Sequence, residues 1–230
     1  MSDQTVLIVV AHPDDEVLGC GGTLAKHAKN GDSVHVAILA EGITSRDDMR
    51  DRAKRQVAIE ELRDCANKAN AIIGSRSVEF YDFPDNRMDT ITLLDVVKQI
   101  ENLIEKYTPK YIYTHWVGDV NIDHRVIHNA VNVACRPQPG NSVERLLYFE
   151  TASSTECQPP GSQPDFLPNW FCNIEDTLSP KLSALKTYHG EMRDWPHSRS
   201  IQSIEHQAAW RGSSVGVKAA EAFMVGRILA

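Results

Sequence analysis

The stretch VLIVVAHPDDEVLGCGG, residues 6–22, decides the fold of this 230-residue chain. Residues 6–11 form a continuous apolar run rich in β-branched side chains. Such a run suits a strand buried on both faces, as in a parallel sheet. It ends in His12, Pro13 and the three acids Asp14, Asp15 and Glu16. Charge that dense is costly to bury unless a partner such as a metal ion neutralises it.

Working outward, Val17, Leu18, Leu24 and Ala25 fall near helical spacing, and Asn30-Gly31 reads as a helix stop before the next apolar run at residues 34–40. A charged segment from Arg46 to about Ile73 carries one apolar face, Val57, Ile59, Leu62, Ala66 and Ala69, and predicts a long exposed helix. Strands are predicted at residues 78–83, 111–115 and 145–150. Helices are predicted between them: one carries Leu93, Val97, Ile100 and Ile104, and one covers residues 123–135. Strands alternating with helices predict an α/β fold, a Rossmann-like three-layer, doubly wound, mostly parallel sheet. Residues 151–170 turn to Ser, Gln, Gly and Pro and predict an irregular loop of functional character. Helices near residues 179–188 and 203–211 and a strand at 223–228 follow. The expected organisation is a single domain over residues 1–230, with a core at 1–150 and a C-terminal extension with a substrate loop at 151–230.

The composition, 42% hydrophobic and 24% charged, is that of a globular protein with a full core. A net charge of −7 and the lack of a basic stripe argue against binding nucleic acid through its phosphates. Five scattered cysteines without a CxxC pair indicate reduced thiols rather than a disulfide framework. No segment has the length of a membrane span, so the reading is a soluble, cytoplasmic protein without membrane insertion; a homo-oligomer is compatible with it.

In open parallel sheets ligands collect beyond the carboxyl ends of the strands. The residues after the first strand also suit an ordinary helix start, since proline and acids favour a first turn. A second cluster, GDVNIDHRVIH at residues 118–128, shifts the balance, because it too follows a predicted strand. His12, Asp15 and one histidine of that cluster can converge on one ion. Two histidines and a carboxylate with an open fourth position are a common catalytic zinc site. His124 and His128 stand four apart on a helix, so spacing does not choose between them, and a plain helix-face residue is the simpler reading of His128.

Together, AHPDDE after the first strand and a distant Asp-His pair resemble the PIG-L/LmbE-like zinc-dependent deacetylases. FPDNR at 83–87, ACRPQPG at 134–140 and AEAF at 220–223 extend the resemblance along the chain. The resemblance implies a Rossmann-like metal-dependent amidase acting on an N-acetylated amino sugar. It makes His12, Asp15 and His124 the zinc ligands, Asp14 the general base and Asp123 a residue that orients a histidine; iron or another divalent ion fits the same donors. Many members carry a histidine three residues before the metal-binding one, where this chain has Asn121. An asparagine donates a hydrogen bond but is not a charged acid, so the leaving amine needs another proton source, such as Asp14 or His115. His189 resembles a family position near the site, with Glu191 where relatives often have glutamine.

Gly19-Cys20-Gly21-Gly22 lies inside the first helix and completes no GxGxxG, so it reads as close helix packing. Arg50, Arg52 and Arg55 are candidates to grip a phosphate or sugar, or are simply surface. Trp170, Trp195 and Trp210 are candidates to stack on a sugar ring, but core packing is the default expectation for tryptophan. The function expected is hydrolysis of an amino-sugar acetamide. Its rivals are a non-catalytic sugar- or nucleotide-binding module and an aspartyl phosphotransferase. A base beside the metal argues against the first, and adjacent rather than DxD-spaced acids argue against the second.

Overall fold

A computed structural model describes residues 3–230. The chain runs β1 (Thr5–Val10), α1 (Asp15–Lys29), β2 (Ser33–Ala40), α2 (Arg52–Ile73), β3 (Ser77–Phe83), α3 (Leu93–Tyr107), β4 (Tyr111–His115), α4 (Ile122–Ala134) and β5 (Arg145–Phe149). It continues through β6 (Trp170–Asn173), α5 (Leu178–Leu185), α6 (Ile201–Ser213) and β7 (Ala220–Ile228). All seven strands share one sheet in the order β3-β2-β1-β4-β5-β7-β6. β1 to β5 are mutually parallel, and β7 runs antiparallel between β5 and β6. This is the doubly wound α/β fold that the alternation predicts.

The unbroken apolar run of β1 has a direct cause. Successive side chains point to opposite faces, and both faces are covered. Val6, Ile8 and Val10 pack with Leu24 of α1, Ala66 and Ala69 of α2, Leu185 of α5 and Ile204 of α6. Leu7, Val9 and Ala11 pack with Val97 and Ile100 of α3 and with Ile127 and Val131 of α4. The glycines of α1 serve this packing: a Cβ on Gly19 would lie 2.2 Å from the Phe149 ring, so only glycine lets the helix approach β5.

Three expectations change. The irregular segment is shorter than its composition suggests, because Trp170 begins the four-residue strand β6, which pairs with β7. Residues of the C-terminal extension therefore complete the same sheet as the core. Trp195 and Trp210 are not core residues, being 54% and 69% exposed. Trp170 alone of the three sits against the core, edge-on to Phe223. All five cysteines are free. Among the described residues no helix is long and apolar enough to cross a membrane.

Candidate metal centre

Strand order reverses between β1 and β4, which opens a crevice at their carboxyl ends. His12 follows β1, His115 ends β4, and the loop after β4 carries Asp119 into α4 with Asp123 and His124. Here β1 has run out of apolar residues and the parallel ladder ends, so the polar side chains converge. Gly42 forms part of the wall at φ +76°, where a Cβ would come 2.7 Å from Pro13.

Three overlapping groups have metal-ligand geometry: His12, Asp15 and His124; His115, Asp119 and His124; and His12, Asp85 and Asp123. Their hydrogen bonds separate them. Asp123 accepts from the backbone N–H groups of Asn86 at 2.6 Å and Met88 at 3.0 Å, and from His12 Nε2 at 3.0 Å. Asp85 accepts from Ser45 N at 2.9 Å. Asp119 accepts from His124 Nδ1 at 2.7 Å and from the Thr155 hydroxyl. His115 Nε2 accepts the Ala11 N–H at 2.9 Å.

In the first group, by contrast, Asp15 Oδ1 and His124 Nε2 are buried with no hydrogen-bond partner. Buried polar atoms are rarely left so. Asp15 Oδ2 stands 3.3 Å from both His12 Nδ1 and His124 Nε2. With Nε2 of His12 and Nδ1 of His124 each donating to a carboxylate, the remaining lone pairs face Asp15. This donor set fits a divalent cation in chemistry and geometry.

Electrostatics follow from burial and crowding. Burial opposes the charge on Asp15, but His124, aided by the hydrogen bond from His12, outweighs it and holds the carboxyl well below its ordinary range. Burial likewise disfavours a charged His124, yet Asp15 and Asp119 push it up to about 9. His12 is raised in the same way by Asp123, Asp15 and Asp85 against its burial. Burial raises Asp14 to about 8, although Arg199 opposes the shift. His115 is fully buried and held well below the ordinary histidine value by burial and by His124, on which it stacks at 3.8 Å. Its Nε2 is engaged by the Ala11 N–H, and of the two groups that the sequence suggests as proton source only Asp14 borders the polar cavity at the site.

Asp14 stands at the N-terminus of α1 with φ 120°, a conformation that costs a non-glycine residue free energy. Its N–H donates to Glu16 Oε2 at 3.1 Å. Glu16, buried and raised to about 7 by that burial, also accepts from Asn70 at 2.9 Å and from Tyr188 at 2.5 Å. Asp14 borders a polar cavity of about 160 Å³ with His12, Arg46, Asp85, Asn121, Glu191 and Arg199. Asn121 caps α4 by accepting from Asp123 N, while its amide donates to Asn86 at 3.0 Å.

His128 donates from Nδ1 to the His115 carbonyl at 3.0 Å and packs on Tyr148. His189 is exposed and lines a neighbouring groove of about 470 Å³, which Arg46 and Glu191 share with the first cavity. The arginines at 50, 52 and 55 are not free to grip a ligand. Arg50 pairs with Glu41, Arg52 with Glu41 and Asp82, and Arg55 with Asp47. Arg46 and Arg199, which sequence reading passes over, are the ones at the site. Asp85 and Asp119 lie inside the FPDNR and GDVNIDHRVIH stretches, where sequence alone gives neither a role of its own.

Two histidines and one carboxylate, with an acid beside them and a cavity in front, are the means by which metallohydrolases activate water. Fold and site together define a protein of that class. More narrowly, the chain belongs to the PIG-L family, described as GlcNAc-PI de-N-acetylase, whose sequence profile matches residues 7–135. An uncharacterized deacetylase of Escherichia coli K12, YaiS, is 30% identical over 189 residues, covering 80% of this chain and 89% of its own. A 4-oxalmesaconate hydratase of Pseudomonas putida is 25% identical over 211 residues, with coverages of 84% and 76%. Among solved structures, the N,N'-diacetylchitobiose deacetylase of Pyrococcus horikoshii superposes with a TM-score of 0.76 at 19% identity, covering 96% of this chain and 83% of that one.

Proposed function

We propose that this protein is a zinc-dependent N-deacetylase that hydrolyses the acetamide of an N-acetylated amino sugar or its conjugate, in glycan or glycoconjugate biosynthesis. The observation that carries the reading is the pair of unpartnered buried atoms, Asp15 Oδ1 and His124 Nε2, beside a separate acid, Asp14, that faces the cavity. The similarity to YaiS and membership of the PIG-L family support the same reaction.

In this reading His12, Asp15 and His124 hold the zinc, which when bound supplies an acidified water and a polarised carbonyl. Asp14, which faces the cavity beside the ligand set, takes the proton from the attacking water. Asp123 orients His12 through the 3.0 Å hydrogen bond to Nε2. Asp14, which unlike His115 lines the cavity, is also the group that returns the proton to the leaving amine. Asn121 walls the acetamide end of the cavity, and His189 contacts the part of a conjugate that extends into the outer groove.

The hydratase relative supplies a second reading, addition of water to a carbon–carbon double bond by the same machinery. Incubation with N-acetylhexosamines and their nucleotide-linked forms, with acetate measured, separates the readings. Metal-dependent acetate release is expected. Hydration of oxalmesaconate without acetate release from any acetamide would replace the deacetylase reading, and binding without turnover would favour a non-catalytic module.

A further inference from the structure

Asp14 and Asp15 are sequence neighbours, both buried, yet they face different partners. Asp15 turns toward His12 and His124. Asp14 turns to Arg199, whose Nη1 donates to Asp14 Oδ2 at 2.9 Å. That guanidinium is itself fixed: Nε donates to Ser153 Oγ at 2.6 Å, and Nη1 lies 3.7 Å from Glu191 Oε2. Glu191 is held in turn by Arg46 at 2.6 Å. The backbone of Asp14 is governed separately, through its N–H bond to Glu16.

A buried carboxylate next to a divalent cation is drawn toward it, because coordination offsets the cost of burying the charge. Asp14 has that cost to offset, being only 2% exposed. An aspartate side chain needs only a χ rotation to exchange one cation for another. A planar guanidinium locked by a second hydrogen bond is a strong competitor, pre-organised to hold a carboxylate oxygen.

We propose that Arg199 is a positioning residue that keeps Asp14 out of the metal's coordination sphere, so that Asp15 ligates while Asp14 stays free to act as the base. The proposal rests on the ligand set and base assigned above. It makes the difference between two adjacent aspartates a property of a residue in the C-terminal extension rather than of the HPDDE segment itself.

The test uses the full-length protein loaded with cobalt(II), whose visible absorptivity falls as coordination number rises. Wild type and Arg199→Lys are expected to share a spectrum. Arg199→Leu should show lower absorptivity, as Asp14 joins the ion, and turnover of the zinc form lower by about 10²-fold or more. Arg199→Leu/Asp14→Asn should regain the wild-type spectrum while its turnover stays low. A purely structural role for Arg199 moves stability but does not make the spectrum depend on Asp14. The proposal is overturned if Arg199→Leu keeps the wild-type spectrum, or if its altered spectrum persists in the double variant. Arg199→Gln, closer in shape, gives the same readings should the leucine variant not fold. Asp15→Asn separates the two levels. Its loss of cobalt supports the ligand set, so that an unchanged Arg199→Leu spectrum then removes only the role of Arg199. Cobalt binding by Asp15→Asn at wild-type strength removes the ligand set and this inference with it.

Discussion

Asp119 Oδ2 accepts a hydrogen bond from His124 Nδ1 at 2.7 Å, and this contact fixes which nitrogen of His124 is presented to the cavity. Partners of this kind lock the tautomer and ring orientation of a ligating histidine, and their loss costs about 10–100-fold in metal affinity. Asp119→Ala is therefore expected to weaken zinc binding by that factor while His12 and Asp15 remain in place. Competition against a chromophoric chelator measures it, and wild-type affinity in the variant would refute the assignment.

The two adjacent aspartates should fail differently. Asp15→Asn removes a proposed ligand and should lose zinc first, with turnover falling in proportion to occupancy. Asp14→Asn should keep its zinc and lose roughly 10²–10⁴-fold in rate, the usual cost of removing a general base. Metal content and turnover measured on the same preparations decide the matter. An Asp14→Asn protein that is metal-free, or fully active with its zinc, contradicts the division of labour.

Glu16 supports the site from below. Glu16→Ala leaves the Asp14 N–H and the Tyr188 hydroxyl without their acceptor, and the Asn70 amide with only its bond to the Ala66 carbonyl. Each buried donor left unpaired costs roughly 1–3 kcal/mol. Urea denaturation of the variant should show a loss of at least one such increment, and an unchanged midpoint would mean that other acceptors replace the carboxylate.

A pH-dependent contribution is expected from His27, far from the metal centre. Its Nδ1 donates to Asp32 at 2.7 Å, and its Nε2 lies 3.0 Å from the Tyr113 hydroxyl. Burial, outweighing Asp32, lowers its pKa below 6.5. The unfolded chain thus binds more protons than the folded one as pH falls below about 6.5, so stability is lost in that direction. The stability advantage of wild type over His27→Gln should shrink between pH 7.5 and pH 5. An advantage that grows as pH falls would show that the neutral ring is not the folded form.

The first five strands and the helices between them are legible because each is long enough to show a period, and β1 because both of its faces are buried. Strand β6 is not, since four residues flanked by prolines and polar groups carry no pattern. His12, Asp15 and His124 meet because two strand ends of one parallel sheet open on the same edge; alternation foretells that for His12, Asp15 and one histidine of the second cluster, and only the family resemblance singles out His124 over His128. Asp119 lies within the GDVNIDH stretch, but nothing local distinguishes it from Asp123; only the fold shows that the first acid serves His124 and the second His12. Arg50, Arg52 and Arg55 mislead for the complementary reason, because their carboxylate partners come from other elements. Arg199 has no local signature at all, and its contact with Asp14 joins residues 185 apart.

That separation gives the site an order of assembly. His12, Asp14, Asp15 and His124 all precede β5, whereas Arg199 lies beyond β6 and α5 and is made 75 residues after His124. At synthesis rates of 5–20 residues per second, about 4–15 s pass between the appearance of His124 and that of Arg199. An unfinished chain that captures an ion in this interval does so with both aspartates unrestrained. The finished protein then inherits its coordination from whichever is faster, closure of the C-terminal extension or arrival of the metal.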